Sequence, residues 1–368
     1  RVSFWALSRG DAVDRVASVE QPVITRRVRV DNAVQRWRAR HARNAGYTAE
    51  VTPYAGYGST SWVRVLGRVL LAKGSQRDTE TPTGARGWRN FIGVPIENAQ
   101  VRVDLGGRSH EIQADRSGII DVVVDVDLEP GWQRIGLSSE DSPVATALVF
   151  IVDPQMRFGV VSDIDDTVMV TALPRPLLAA WHTFVVNEHA RATTPGMPVL
   201  YERLSTRYAG APFIYLSTGA WNVAPTLTRF LSRNLYPAGA LLLTDWGPTA
   251  DRWFRSGLEH KRGNLERLTG EFPQIKWLLI GDDGQHDESI YSDFAAQHSD
   301  NVAAVCIRQL TPSEAVLAGS SWRGHRAWSS SAMSTPGRLR LPICCLASDC
   351  FLRASSPTPG CRFSFAMQ

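Results

Sequence analysis

Long apolar runs are missing from this chain, and cysteine is missing from most of it. A bilayer-spanning helix needs about 18 to 20 consecutive apolar residues. The longest candidate, Val144 to Val152, falls far short of that and reads as a strand, so helical membrane spans are not expected. Phe4 to Leu7 is likewise too short for a secretory leader, although a start at Arg1 leaves a removed leader open. Only Cys306 precedes residue 340; a main body with one thiol cannot close an internal disulfide, which suits a reducing compartment. Neither sign of charge dominates. A formal charge of +4 and a pI near 8.9 are compatible with anionic partners and diagnostic of none. Internal repeats are absent too.

What is present is an ordinary globular composition, 43% apolar and 21% charged, in 368 residues, a length that predicts two domains. Residues 1–50 carry Arg26, Arg27, Arg29, Arg36, Arg38, Arg40 and Arg43 in a segment that Asp31 would cap and Gly46 would end, a basic helix. Such a helix can lie on anionic lipid or nucleic acid. Its apolar face, Val34 and Trp37, is thin, so a solvated helix packed on the body weighs more. Residues 51–155 change texture. Segments Trp62 to Leu71, Val101 to Leu105, Ile119 to Leu128 and Ala145 to Val152 are separated by glycine-marked turns, which predicts a small antiparallel β-sandwich. Asp115, Asp121, Asp125 and Asp127 lack the spacing of a calcium loop and read as a solvated sheet face.

The stretch Phe158-Gly-Val-Val-Ser-Asp-Ile-Asp-Asp-Thr-Val168 is an apolar run that ends in three carboxylates and a hydroxyl. Near-continuous apolarity fits a parallel strand covered on both faces, with Asp163 at its carboxyl edge, where open α/β sheets bind ligands. If the chain stayed extended, its two-residue period would aim Asp163 and Asp165 into one cleft. Charges that close require a cation or a proton. The competing reading is an acidic turn in which Asp165 or Asp166 caps a following helix.

Downstream, Pro212 to Ser217, Ala240 to Thr244, Lys276 to Gly281 and Val302 to Ile307 alternate with helical stretches, the pattern of a doubly wound sheet. Ser217-Thr218-Gly219, Lys261 and Gly281-Asp282-Asp283-Gly284-Gln-His-Asp287 follow one another at strand ends and a helix start. Each is weak alone: a serine after a strand is commonplace and a lone lysine is usually solvated. Their order, acid, hydroxyl, lysine, acid, resembles the four motifs of the haloacid dehalogenase (HAD) superfamily of phosphohydrolases. Ser162-Asp-Ile-Asp-Asp-Thr-Val168, Tyr215-Leu-Ser-Thr218 with Trp221-Asn222, His260-Lys261 and Gly281 to Tyr291 resemble its App1-type phosphatidate phosphatase branch, bacterial members included. Gly56-Tyr57-Gly58 and Trp62 to Arg68 extend the likeness, so that it covers residues 20 to 318.

That resemblance implies an α/β fold: a HAD-like doubly wound parallel sheet over residues 156–319, preceded by the β-sandwich. It implies a Mg²⁺-dependent phosphatase with Asp163 as nucleophile forming an aspartyl-phosphate, Asp165 as acid and base, and Ser217 and Lys261 as further catalytic groups. Thr167, Thr218, Gly219 and Trp221 would bind substrate; Asp163, Asp165, Asp282, Asp283 and Asp287 would hold or support the metal. The implied substrate is phosphatidate or a similar lipid phosphate, the location cytoplasmic with peripheral contact to anionic membrane, and nucleic acid is not expected. A soluble ester or phosphoprotein as substrate, or a non-catalytic binding module, are the alternatives; oligomeric state is not readable. Little room for a cap domain, with Trp221, Trp246, Trp253, Phe254, Arg252 and Arg255 in loops around the site, suits either an interfacial rim or ordinary packing. Residues 320–368, with Cys344, Cys345, Cys350 and Cys361, have no periodicity and read as a disordered tail.

Overall fold

The computed structural model describes residues 37–73, 93–140, 142–170, 192–244, 250–284, 286–310, 338–342 and 362–366. Residues 37–44 are helical and stop at Gly46, whose φ of 80° is the left-handed conformation glycine takes without a Cβ penalty. Asp31 and the arginines before it lie outside the described residues.

Nine strands follow: β1 (Tyr47–Pro53), β2 (Gly56–Ser59), β3 (Trp62–Lys73), β4 (Val94–Pro95), β5 (Gln100–Leu105), β6 (Arg108–Gln113), β7 (Ile119–Asp125), β8 (Gly131–Ser138) and β9 (Ala145–Ile151). They hydrogen-bond into one sheet of order β1-β3-β2-β9-β8-β5-β6, with β4 and β7 also on β3. Every pair is antiparallel except β2–β9. Val51, Val65, Val103, Ile135 and Val149, from five of these strands, share one apolar cluster, so the sheet curls around its own core. In β7 the alternation is as the sequence requires, with Asp121, Val123 and Asp125 outward and Val124 inward.

A second sheet begins at Phe158. Its elements are β10 (Phe158–Asp163), α1 (Met197–Arg207), β11 (Phe213–Ala220), α2 (Ala224–Arg233), β12 (Ala240–Thr244), α3 (Ala250–Glu271), β13 (Lys276–Asp282), α4 (Asp287–Gln297) and β14 (Val302–Arg308). Strand order is β12-β11-β10-β13-β14 and all four pairings are parallel. Parallel neighbours need crossover connections, which the helices supply. From β10 the chain builds outward to β12, then returns to lay β13 on the other flank of β10. Order therefore reverses beside β10, and the crevice at its carboxyl end is where such sheets bind ligands.

The tail departs from expectation in part. β15 (Arg338–Pro342) and β16 (Arg362–Ala366) extend this sheet antiparallel beyond β14, which makes it mixed. Its four cysteines lie outside the described residues. None of the described helices is long and apolar enough to cross a membrane.

The two sheets are not independent bodies in packing terms. Tyr54, Tyr57 and Leu66 of the first sheet's segment belong to the same apolar cluster as Val160, Leu279 and Phe272 of the second. Within that cluster Gly159 is pressed against Trp277: a Cβ there would lie 2.5 Å from the indole ring. Gly159→Ala should therefore cost about 1–3 kcal/mol of stability, measurable by chemical unfolding. An unchanged midpoint would mean the indole does not abut β10.

Candidate active site

Asp163 is the last residue of β10, and the chain does not continue extended beyond it. The amides of Val168 and Met169 both donate to Ile164 O, and Asp166 adopts φ 57°. Aspartate is among the few side chains that tolerate this left-handed region. Asp165 leaves the strand and bridges to Met169. It is tied to the neighbouring strand instead, since Ser217 Oγ donates to Asp165 Oδ2 at 3.0 Å. Parity along a strand, the reason for expecting Asp163 and Asp165 together, is thus replaced by a turn and a cross-strand bond.

On the other flank, β13 ends in Asp282 and Asp287 opens α4. One oxygen from each of Asp163, Asp282 and Asp287 lies within 4.8 Å of the others, and all three residues are buried. Gly281 makes room for this: a Cβ at that position would fall 2.7 Å from Asp287 and 2.8 Å from Tyr291. From α3, Lys261 Nζ donates to Asp163 Oδ1 at 2.6 Å and also to Asp287 Oδ1.

Charge is unbalanced here. Asp163, Asp165, Asp166, Asp282 and Asp287 are buried, against the buried cations Lys261 and Arg308. Burial raises the Asp163 and Asp282 carboxyls well above the usual range, and the neighbouring carboxylates push the same way. Burial pulls the Lys261 ammonium down, but Asp163 and Asp287 more than reverse it and hold the lysine charged. Oδ2 of Asp282 and Oδ2 of Asp287 are buried with no hydrogen-bond partner, while Asp282 Oδ1 accepts from the Gly284 amide at 2.7 Å. Orphaned carboxylate oxygens, an all-oxygen donor set and excess negative charge fit a hard divalent cation. The triad can hold a metal.

Other expected residues go elsewhere. Asp283 turns from the triad: its Oδ1 accepts from Leu310 N at 2.8 Å and its amide donates to Arg308 O, which pins the end of β14. Thr167 is fully buried within the turn. Thr218 and Gly219 form the half-exposed end of β11, but the Gly219 amide already donates to Ser217 Oγ at 3.0 Å. Trp221 is buried rather than offered to substrate. Its ring stacks on Tyr54 with centroids 5.1 Å apart, and Tyr54 Oη donates to Trp221 O. Residues 252–255 are helical in α3 rather than in a loop, and Trp246 lies outside the described residues. Ser162 Oγ with Tyr201 Oη, and Arg308 Nη1 on Asp166 O at 2.6 Å, brace the β10 end, and no motif announces either.

The acidic centre does not line the cavity of about 620 Å³ between the two sheets, which Trp221, Thr244, His260, Asn264 and Arg267 border with Asp115 and Asp121. Asp121 pairs there with arginines and Asp115 Oδ1 accepts from Ser117 N and Ile119 N, so neither is simply a solvated sheet residue. The chemistry-bearing geometry is that of the triad.

Residues 158–309 match the family described as "Phosphatidate phosphatase APP1, catalytic domain". A Saccharomyces cerevisiae protein named Phosphatidate phosphatase APP1 is 26% identical over 151 residues, which are 41% of this chain and 25% of that protein. An uncharacterised Schizosaccharomyces pombe protein is 24% identical over 153 residues, again 41% and 25%. The chain thus matches about a quarter of the length of these relatives. Among solved structures, a carbohydrate acetylesterase from Xanthomonas citri aligns over 72% of this chain and 68% of its own, at 9% identity and a TM-score of 0.26, too distant to inform the fold.

Two outcomes are expected of this site. Gly281→Ala displaces Asp287, so calorimetric titration with Mg²⁺ or Mn²⁺ should show affinity falling about tenfold or more while circular dichroism is unchanged; undiminished affinity would remove Asp287 from the cation site. Burial also pushes the His260 imidazole below its ordinary value of 6.5. The folded chain then binds fewer protons than the unfolded one below that value. The contribution of neutral His260 is fully present above pH 6.5 and is lost as pH falls through and below it. Stability of His260→Gln measured across pH 5 to 8 should be flatter than wild type on the acid side.

Proposed function

We propose that the chain, whose residues 158–309 match the catalytic-domain family of phosphatidate phosphatase APP1, is a Mg²⁺-dependent phosphatase that hydrolyses phosphatidate or a similar lipid phosphate to its alcohol. The observation that carries this reading is the convergence of Asp163, Asp282 and Asp287 around Lys261 at the carboxyl ends of adjacent parallel strands.

Phosphate-monoester hydrolysis is among the slowest uncatalysed reactions, with accelerations approaching about 10²¹. A site for it needs covalent splitting and charge stabilisation together. Asp163 supplies the nucleophile: Lys261 holds Oδ1, and the other oxygen attacks phosphorus, forming an aspartyl-phosphate as the P–O bond to the leaving alkoxide breaks. Asp165, oriented by Ser217, gives its proton to that alkoxide. It then takes a proton from the water that attacks the phosphorus and frees Asp163 with inorganic phosphate. Thr218, at the half-exposed end of β11, offers the hydroxyl that would meet a phosphoryl oxygen. When bound to Asp163 and Asp282, with Asp287 in support, Mg²⁺ neutralises the phosphoryl oxygens.

In this reading residues 156–319 form the HAD-like catalytic domain and residues 51–155 a sandwich-like β domain, which gains Tyr47 to Glu50 through β1, so that the N-terminal basic helical segment ends at Gly46 rather than at residue 50. The chain works in the cytoplasm and meets its substrate at anionic membrane. The lipid substrate is supported by the name of the yeast relative and by the described elements between β11 and α3, none of which forms a bulky lid.

Phosphate release from phosphatidate vesicles and from a soluble panel, with wild type beside Asp163→Asn, tests the proposal. Turnover should require Mg²⁺ and fall by at least about 10³-fold in the variant, which stays folded. Activity confined to soluble esters or phosphoproteins would remove the lipid assignment; no turnover on any phosphate would favour a binding module.

A further inference from the structure

Helix α3 presents two stripes that differ by one residue. His260, Asn264, Arg267 and Glu271 recur at helical spacing, and so do Lys261, Leu265 and Leu268, with Phe272 in the same phase just past the helix end. Every member of the second stripe is buried in the catalytic core. The first stripe meets the N-terminal sheet through a continuous polar chain.

Arg64 on β3 donates to Glu271 Oε1 through Nε at 3.1 Å and Nη2 at 2.6 Å, and Tyr57 Oη on β2 donates to Glu271 Oε2 at 2.8 Å. Arg64 Nη1 also donates to Asp121 on β7, whose other oxygen accepts from Arg267 Nη1 at 3.1 Å. Arg267 Nη2 donates to Asn264 Oδ1, and Asn264 Nδ2 donates to His260 O at 2.8 Å. Phe272 packs against Tyr57 and Trp62 beside this chain, with centroids 6.0 and 5.4 Å away. The polar chain therefore runs from three strands of one sheet to the carbonyl adjoining Lys261.

We infer that Tyr57, Arg64 and Asp121 are positioning residues for Lys261, acting through Glu271 and Arg267, so that the N-terminal sheet is a working part of the active site. The physical reason is leverage on a rigid element. Lys261 must reach Asp163 and Asp287 at once, and rotation or sliding of α3 breaks one bond or both. The apolar stripe resists withdrawal of the helix from the sheet but constrains sliding weakly, since Leu265 and Leu268 pack without direction. Planar guanidinium groups against carboxylates are directional. Arg64 and Glu271 are largely buried, at 13% and 15% side-chain exposure, so solvent competes little for their bonds.

This inference rests on the reading of Lys261 as a catalytic group, and the test separates the two. Lysine is scarce in the chain: Lys73, Lys261 and Lys276 are the only three, and Lys73 and Lys276 are exposed. One slowly exchanging side-chain ammonium signal in ¹⁵N NMR therefore reports Lys261, and Lys261→Met assigns it. In Glu271→Ala of the full chain the signal should shift or broaden, and kcat should fall about tenfold or more with KM within about twofold. Glu271→Gln, which keeps an acceptor for Tyr57, should recover part of both. If Glu271→Ala does not fold, Asp121→Asn, which keeps the Glu271 contacts, decides on the same readouts. An unmoved ammonium signal and unchanged kcat in a folded variant overturn the inference. A wild-type chain without turnover removes the catalytic reading and leaves the ammonium signal to decide the positioning.

Discussion

One buried ammonium holds the centre of this molecule in place. Lys261 donates to two carboxylates, Asp163 at the end of β10 and Asp287 at the start of α4, and it does so where water cannot screen the charges. Taking an ion out of water costs several kcal/mol, so the arrangement persists only because opposite charges and well-aligned bonds meet it there. Removing that cation would leave Asp163 and Asp287 repelling each other in a low-dielectric pocket. β10, β13, α3 and α4 are thus tied at one point, and the parallel sheet gives that point its geometry.

The excess of acid over base around this lysine is a second constraint with a different character. It opposes the apo state and favours whatever cation or proton enters. Gly281 belongs to the same design: a side chain there would overlap Asp287 and Tyr291, so carboxylates that repel can be set close only where a backbone leaves the space. Strain of this kind belongs with function, since stability alone would replace the triad with apolar packing.

The parallel sheet was readable because its strands are uniform: β10, β13 and β14 are apolar nearly throughout and end in polar residues, a pattern that needs no tertiary knowledge. The convergence of Asp163, Asp282 and Lys261 was readable from motif order. What was not readable depended on partners distant in sequence. β6 carries a single strongly apolar residue, Ile112, and owes its place to pairing with β5. Asp165 reads as parallel to Asp163 until the turn at Asp166 redirects it. Asp283 looks equivalent to Asp282, but neighbouring residues leave a strand end in opposite directions, and it is drawn to the Leu310 amide. Trp221 looks like a rim residue until Tyr54, from the connection between β1 and β2, covers it. β16, Arg362-Phe-Ser-Phe-Ala366, alternates over only five residues, too short a run to announce a strand, and it pairs with the edge of β14.

The one-residue offset between the two stripes of α3 has a bearing on how such a chain can change over time. Each residue advances an α-helix by about 100°. Substitutions along α3 alter one face and leave the other in phase. Adding or deleting a single residue between Lys261 and Glu271 would rotate the later half of both stripes by about 100° against the earlier half, so that Lys261 and Glu271 could not both keep their partners. Among ways to vary this protein, the length of that helical segment is the quantity lineage or engineer is least free to alter.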